Sequence, residues 1–167
     1  MQRRYTSARV REAVSRLREA KENPFLAADL IVGFPGETPE DFEQTRHLAE
    51  SMSLAALHVF PFSPRPGTPA ASLTPAVPER LRYDRARTLG ELSRKLAAEY
   101  SRAWVGRKVE VVIEGGDSSK AWGVSGNYLK VRVQGMPAAD ESRGKLAEVR
   151  ITSADAPCEA QFLRFSG

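Results

Sequence analysis

The sequence predicts an α/β fold followed by a small all-β barrel, and three observations carry that reading. Residues 6–62 alternate helical stretches with short apolar runs. The hydrophobic period switches from helical to alternating near Val105, and residues 109–165 then break into four or five short strands separated by turns that contain glycine or, at Ala156-Pro157, proline. The order helix, strand, helix, strand makes the two strands parallel neighbours. A lone parallel pair cannot cover its own edges, so residues 1–77 read as the latter part of a larger α/β sheet or barrel whose earlier repeats are absent.

Thr6 caps a first helix that runs to about Lys21, with Val10, Ala13, Val14, Leu17 and Ala20 on one face and arginines on the other. Asn23-Pro24 ends it. Leu26 to Phe34 is a branched, apolar run with Asp29 as its only charge, which predicts a strand covered on both faces. Gly33 and Gly36 then permit close backbone approach, Pro35 stiffens the turn, and Thr38-Pro39 with Asp41 forms a capping-box start to the next helix. That helix, to about Met52, turns Phe42, Thr45, Ala49 and Met52 inward. Leu54 to Phe62 is the second strand. Ligands of α/β sheets and barrels gather at the carboxyl ends of strands, so Gly33-Phe34-Pro35-Gly36 lies where a site belongs, although a tight βα connection would use the same residues.

Six of the eleven prolines fall between Pro61 and Pro78, with Arg65 as the only charge. Such a segment runs extended as a stiff connector, the alternative being a disordered linker. A long helix from Pro78 to about Trp104 has Leu81, Leu89, Leu92, Leu96 and Trp104 as its apolar stripe, with Arg80, Arg82, Arg85, Arg87, Arg94, Lys95 and Arg102 around it. Beyond Gly106, strands at Val109–Glu114, Ala121–Ser125, Tyr128–Gln134, Leu146–Thr152 and Gln161–Phe165 make a closed, OB-like barrel. Barrels of this kind bind oligonucleotides. Tyr128, Lys130 and Arg132 alternate as a stacking and phosphate-contacting strand would, while Tyr128 would serve equally as a core residue. The domains are thus 1–77, a linking helix 78–105, and 106–167.

Composition narrows the function. The chain of 167 residues is 41% apolar, enough for real cores, and carries a net charge of +4. Residues 1–24 and 65–105 are each +4 and residues 25–64 are −5, so positive charge gathers on two helices, as a nucleic-acid partner or plain solvation would both require. No run reaches the roughly 20 apolar residues of a membrane span and no signal-peptide core follows the start, which predicts a cytoplasmic protein without a membrane partner. One cysteine, Cys158, and two histidines, His47 and His58, offer neither a disulfide nor a metal site.

Ile31-Val32-Gly33-Phe34-Pro35-Gly36-Glu37-Thr38, then His58-Val59-Phe60-Pro61-Phe62-Ser63-Pro64-Arg65-Pro66-Gly67-Thr68-Pro69-Ala70-Ala71, then a terminal barrel, closely resemble the C-terminal half of the radical S-adenosylmethionine methylthiotransferases. Met1, Arg3, Arg4 and Tyr5 with Gly126-Asn127-Tyr128-Leu129-Lys130-Val131 are most similar to the branch that methylthiolates N6-threonylcarbamoyladenosine beside the tRNA anticodon. The resemblance implies the latter part of a partial TIM-type radical-SAM barrel that binds S-adenosylmethionine, followed by a TRAM-type RNA-binding barrel. It also implies two four-iron four-sulfur clusters on six cysteines, none of which is present, so the chain holds no catalytic residue and no metal ligand. It is expected to be inactive and iron-free without an N-terminal half carrying the clusters.

On this resemblance Ile31, Val32, Gly33 and Phe34 are expected to face the adenine and ribose of the cofactor, with Phe60 and Pro61 adding backbone groups. Replacing Gly33 by Val should weaken cofactor binding and leave the fold intact. Arg65, Tyr128, Lys130 and Arg132, with the basic helix, are expected to hold the tRNA anticodon stem-loop. A free-standing RNA-binding module is the other reading, and within the family a different tRNA adenosine or a ribosomal protein is an alternative substrate.

Overall fold

The computed structural model describes residues 4–117, 120–137 and 141–166, so Met1 and Arg3, quoted for the resemblance, lie outside the described residues. The chain divides into two compact units, Met1–Ala97 and Ala98–Gly167. The division falls inside the long helix, between the boundaries expected near residues 77 and 105.

The first unit holds helix α1 (Ser7–Ala20), strand β1 (Ala27–Val32), helix α2 (Pro39–Ser51), strand β2 (Ala56–Pro61) and most of helix α3 (Glu79–Arg102). β1 and β2 pair in parallel, with Ala27 opposite Ala56 and Val32 opposite Pro61. The capping box forms as its residues require: Thr38 Oγ1 accepts from the Asp41 N–H at 3.1 Å and Asp41 Oδ2 accepts from the Thr38 N–H at 3.0 Å. Val32, Leu57, Phe42, Ala49, Met52, Leu54, Leu89, Leu92 and Leu96 make one buried cluster.

All three helices serve that one side of the strand pair. The other side, bearing Asp29, Ile31, His58 and Phe60, is exposed, which corrects the expectation of a strand covered on both faces. α1 also packs more thinly than its stripe predicts. Only Val10 and Val14 reach the cluster, while Leu17 is half exposed. Its hold is polar instead: Arg18 Nη2 donates to the carbonyls of Met52 (2.6 Å) and Ser53 (2.8 Å), and Arg11 Nη1 to Ser51 Oγ (2.7 Å), placing cations against the negative end of α2. The proline-rich connector carries one short 3-10 turn, Pro69–Ser72, where only extended chain was expected.

In the second unit, β3 (Lys108–Gly116), β4 (Lys120–Ser125), β5 (Lys130–Gln134), β6 (Leu146–Ser153) and β7 (Cys158–Phe165) close a barrel in the order β3-β4-β5-β7-β6. Every pair is antiparallel except β5 with β7. Alternation along each strand sends Val111, Ile113, Val131, Val133, Val149 and Ile151 inside. Leu81, expected in the helix stripe, is exposed, and Tyr100 takes a buried place near the end of α3, its hydroxyl donating to the Asn127 carbonyl at 3.1 Å.

Cys158 lies in the barrel core. Burial pushes its thiol up from the ordinary value, a hydrogen bond with Ser101 opposing and the Asp155 carboxylate reinforcing the rise. The thiol therefore stays protonated at neutral pH and shielded from reagents. Iodoacetamide at pH 7 is expected to leave the native chain unmodified and to alkylate it only as denaturant opens the barrel; rapid labelling of native protein, followed by mass spectrometry, would contradict this packing.

Candidate functional site

The strand ends of the first unit come together as parallel pairing demands. Ile31 stands opposite Phe60 and Val32 opposite Pro61, and the Phe62 N–H donates to the Val32 carbonyl at 2.8 Å. Phe34 and Phe62 meet edge to face with centroids 5.1 Å apart. Of the six residues expected around the cofactor, Ile31 (38% exposed) and Phe60 (52%) share the open face. Val32 points the other way, fully buried in the core, so its side chain is not available there.

The turn after β1 is held by a buried ion pair that composition alone does not reveal. Glu37 turns its carboxylate inward, where Oε2 accepts from the Gly33 N–H and from Arg85 Nη1 at 2.5 Å. Arg85 is only 4% exposed, although its helix pattern had placed it among the solvated basic residues. It occupies the stripe position one turn before Leu89, its guanidinium also bonding the Glu37 carbonyl at 3.2 Å and lying 5.3 Å from the Phe42 ring centroid. An arginine in register with an apolar stripe was the available signal. Next to it, Arg82 Nη1 donates to the Phe62 carbonyl, so α3 clamps both strand ends. Arg82 Nε is buried there without a hydrogen-bond partner.

Gly33 has φ +71°, and a Cβ on it would lie 2.1 Å from Arg82 Cγ. The close approach this glycine permits is thus to Arg82. Gly33→Val would strain the backbone and displace the clamp, which corrects the expectation that the fold would be untouched.

In the second unit, Tyr128, Lys130 and Arg132 are all exposed, Tyr128 by 69%, so Tyr128 is no core residue. It precedes β5 and sits at φ +63° in a turn closed by its N–H to the Ser125 carbonyl (2.9 Å) and by the Ser125 N–H to the Leu129 carbonyl (3.0 Å). Buried Ser125 fixes this turn, its Oγ donating to Asn127 Oδ1 (2.5 Å) and accepting from the Leu129 N–H (3.0 Å). Arg132 Nη1 lies 3.6 Å from Glu159 Oε1, whereas Lys130 has no carboxylate partner among the described residues. Arg65 is exposed on the connector of the first unit.

Removing one member of a buried pair strands the other charge. Arg85→Ala is therefore expected to cost about 3–5 kcal/mol of stability, read as a lowered denaturant midpoint, whereas the double replacement Glu37→Gln with Arg85→Met costs far less. Equal losses in the two variants would assign the effect to packing of the arginine stem instead.

No family model matches the chain. It is 39% identical over 151 residues to threonylcarbamoyladenosine tRNA methylthiotransferase MtaB of Treponema pallidum (strain Nichols), covering 90% of this chain and 31% of that protein. It is 38% identical over 152 residues to the tRNA-2-methylthio-N(6)-dimethylallyladenosine synthase of Oceanobacillus iheyensis, covering 91% of this chain and 29% of that protein. The MtaB protein of Bacillus subtilis (strain 168) matches at 34% over 170 residues, covering 98% of this chain and 37% of that protein. The chain spans about a third of the length of the curated relatives it matches. On these matches, and as its two motif stretches indicated, the chain is a homologue of part of the tRNA methylthiotransferases.

Proposed function

We propose that the chain is the C-terminal part of a tRNA methylthiotransferase that adds a methylthio group to the modified adenosine beside the anticodon, working in the cytoplasm. The observation that carries this reading is 39% identity across 90% of the chain, running through both the strand-end motif and the barrel. The first unit is then the latter part of a partial TIM-type barrel, with the open face of β1 and β2 turned to the lumen. Its apolar pair Ile31 and Phe60 suits an adenine. S-adenosylmethionine would lie against Ile31, Gly33, Phe34, Phe60 and Pro61. Iron-sulfur clusters do not fit this chain: among the described residues no group of three or more His, Cys, Asp and Glu side chains could hold a metal ion. They belong to the part of the protein that precedes it.

The barrel is a TRAM-type RNA-binding module in this reading. Tyr128 meets an unstacked base of the anticodon stem-loop, and Lys130, Arg132 and Arg65 meet phosphates. Among the described residues no helix is long and apolar enough to cross a membrane. The threonylcarbamoyladenosine branch is preferred for the target nucleoside. A dimethylallyladenosine target is the second reading, because the relative named for it is 38% identical.

Two variants of the chain test the RNA reading. Tyr128→Ala is expected to lower affinity for an anticodon stem-loop by about one to two decades with the salt slope unchanged. Lys130→Ala should reduce that slope by about one unit. A slope unaltered by Lys130→Ala would remove that residue from the interface. In the parent protein, mass analysis of tRNA nucleosides should show methylthio-threonylcarbamoyladenosine, and a parent that forms no methylthio nucleoside would overturn the assignment.

A further inference from the structure

On the outer face of the barrel, a second large aromatic besides Tyr128 is exposed. Trp122 is 48% exposed on β4, and its indole lies on Gly115 of β3, where a Cβ would come within 2.5 Å of Trp122 Cζ2 and 2.8 Å of Cε2. The β3–β4 register shifts between Ile113 and Gly115, so Glu114 is the extra residue of a bulge that bares the backbone under the ring. Across β4 and β5, Trp122 stands opposite Arg132 and Val124 opposite Lys130. A hollow of about 360 Å³ opens here, lined among others by Trp122, Lys130, Arg132, Glu114 and Pro157.

These features combine in one direction. Glycine backs the indole, and about half of the side chain is exposed, so little side-chain freedom is lost when something flat settles on it. Lys130, which has no carboxylate partner among the described residues, brings positive charge to the same hollow, and Arg132 is only partly met by Glu159 at 3.6 Å. Glu114 also lines the hollow, where a carboxylate would repel phosphate and could accept from the exocyclic amine of a base, so a nucleotide would set its backbone toward Lys130 and its base edge toward Glu114. A fixed aromatic surface with a cation beside it is the arrangement on which unpaired bases stack.

We propose that Trp122 is the stacking platform for an unpaired nucleotide of RNA, with Lys130 on its phosphate, forming a base site additional to Tyr128. This rests on the reading of the barrel as an RNA-binding module. The test uses the whole chain with an unmodified anticodon stem-loop RNA and a blunt duplex RNA as probes, titrated at several salt concentrations. Trp122→Ala is expected to weaken stem-loop binding about ten- to a hundredfold without changing the salt slope or the weaker duplex binding, while Trp122→Phe keeps most of the affinity. The emission that distinguishes the unaltered chain from Trp122→Phe should be quenched by the stem-loop, a readout that needs no destabilising substitution. Stem-loop affinity undiminished in Trp122→Ala, or equal loss for stem-loop and duplex, would overturn the proposal while leaving RNA binding in place. If Trp122→Ala instead alters only self-association or protein capture, the platform is a protein contact and the proposal fails. An unaltered chain that binds neither probe overturns the RNA reading itself, and the platform with it.

Discussion

The carboxylate of Glu37 is the joint of the first unit. It accepts from the Gly33 backbone and from Arg85 with both side chains largely buried, so the turn after β1 has its shape set by a residue of α3 far along the chain. Two charges in such a place are stable only as a pair with further bonds, which Arg85 supplies through the Glu37 carbonyl and the Phe42 ring. Arg82 extends the arrangement to the end of β2. The open face at Ile31 and Phe60 is therefore backed by a rim that α3 ties at both strand ends, with the connector adding the Gly36 N–H to the Pro75 carbonyl at 2.9 Å.

The second unit depends on a different constraint, the alternation that sends every second side chain into a narrow barrel. Where that alternation is broken, at Glu114 and Gly115, the break serves the surface, since the bared backbone is what Trp122 rests on. Glycine is required at 115 because any side chain would lie within the indole.

Local chemistry was legible in the sequence. The capping box at Thr38, the parallel strand pair and the barrel strands all follow from residues close in the chain, and they form largely as patterned. Partners distant in sequence were harder to read. Arg85 resembled its solvated neighbours because nothing near it announces a carboxylate forty-eight positions away. Positive charge on α1 and α3 suggested a nucleic-acid surface, yet Arg11, Arg18, Arg82, Arg85 and Lys95 are engaged in holding the first unit together. Val32 adjoins Ile31 in the motif, yet the pleat sends the two to opposite faces. Trp122 went unremarked because its role depends on a glycine in the neighbouring strand.

The strand order of the barrel bears on how such a chain is made. β5 and β6 are not bonded to each other; β7 lies between them and satisfies an edge of each. Until β7 has left the ribosome, four strands with alternate side chains meant for a closed core therefore wait with two open edges. Synthesis and closure are coupled, so a message read only as far as β6 would yield a chain exposed to proteases and chaperones rather than a weakened barrel.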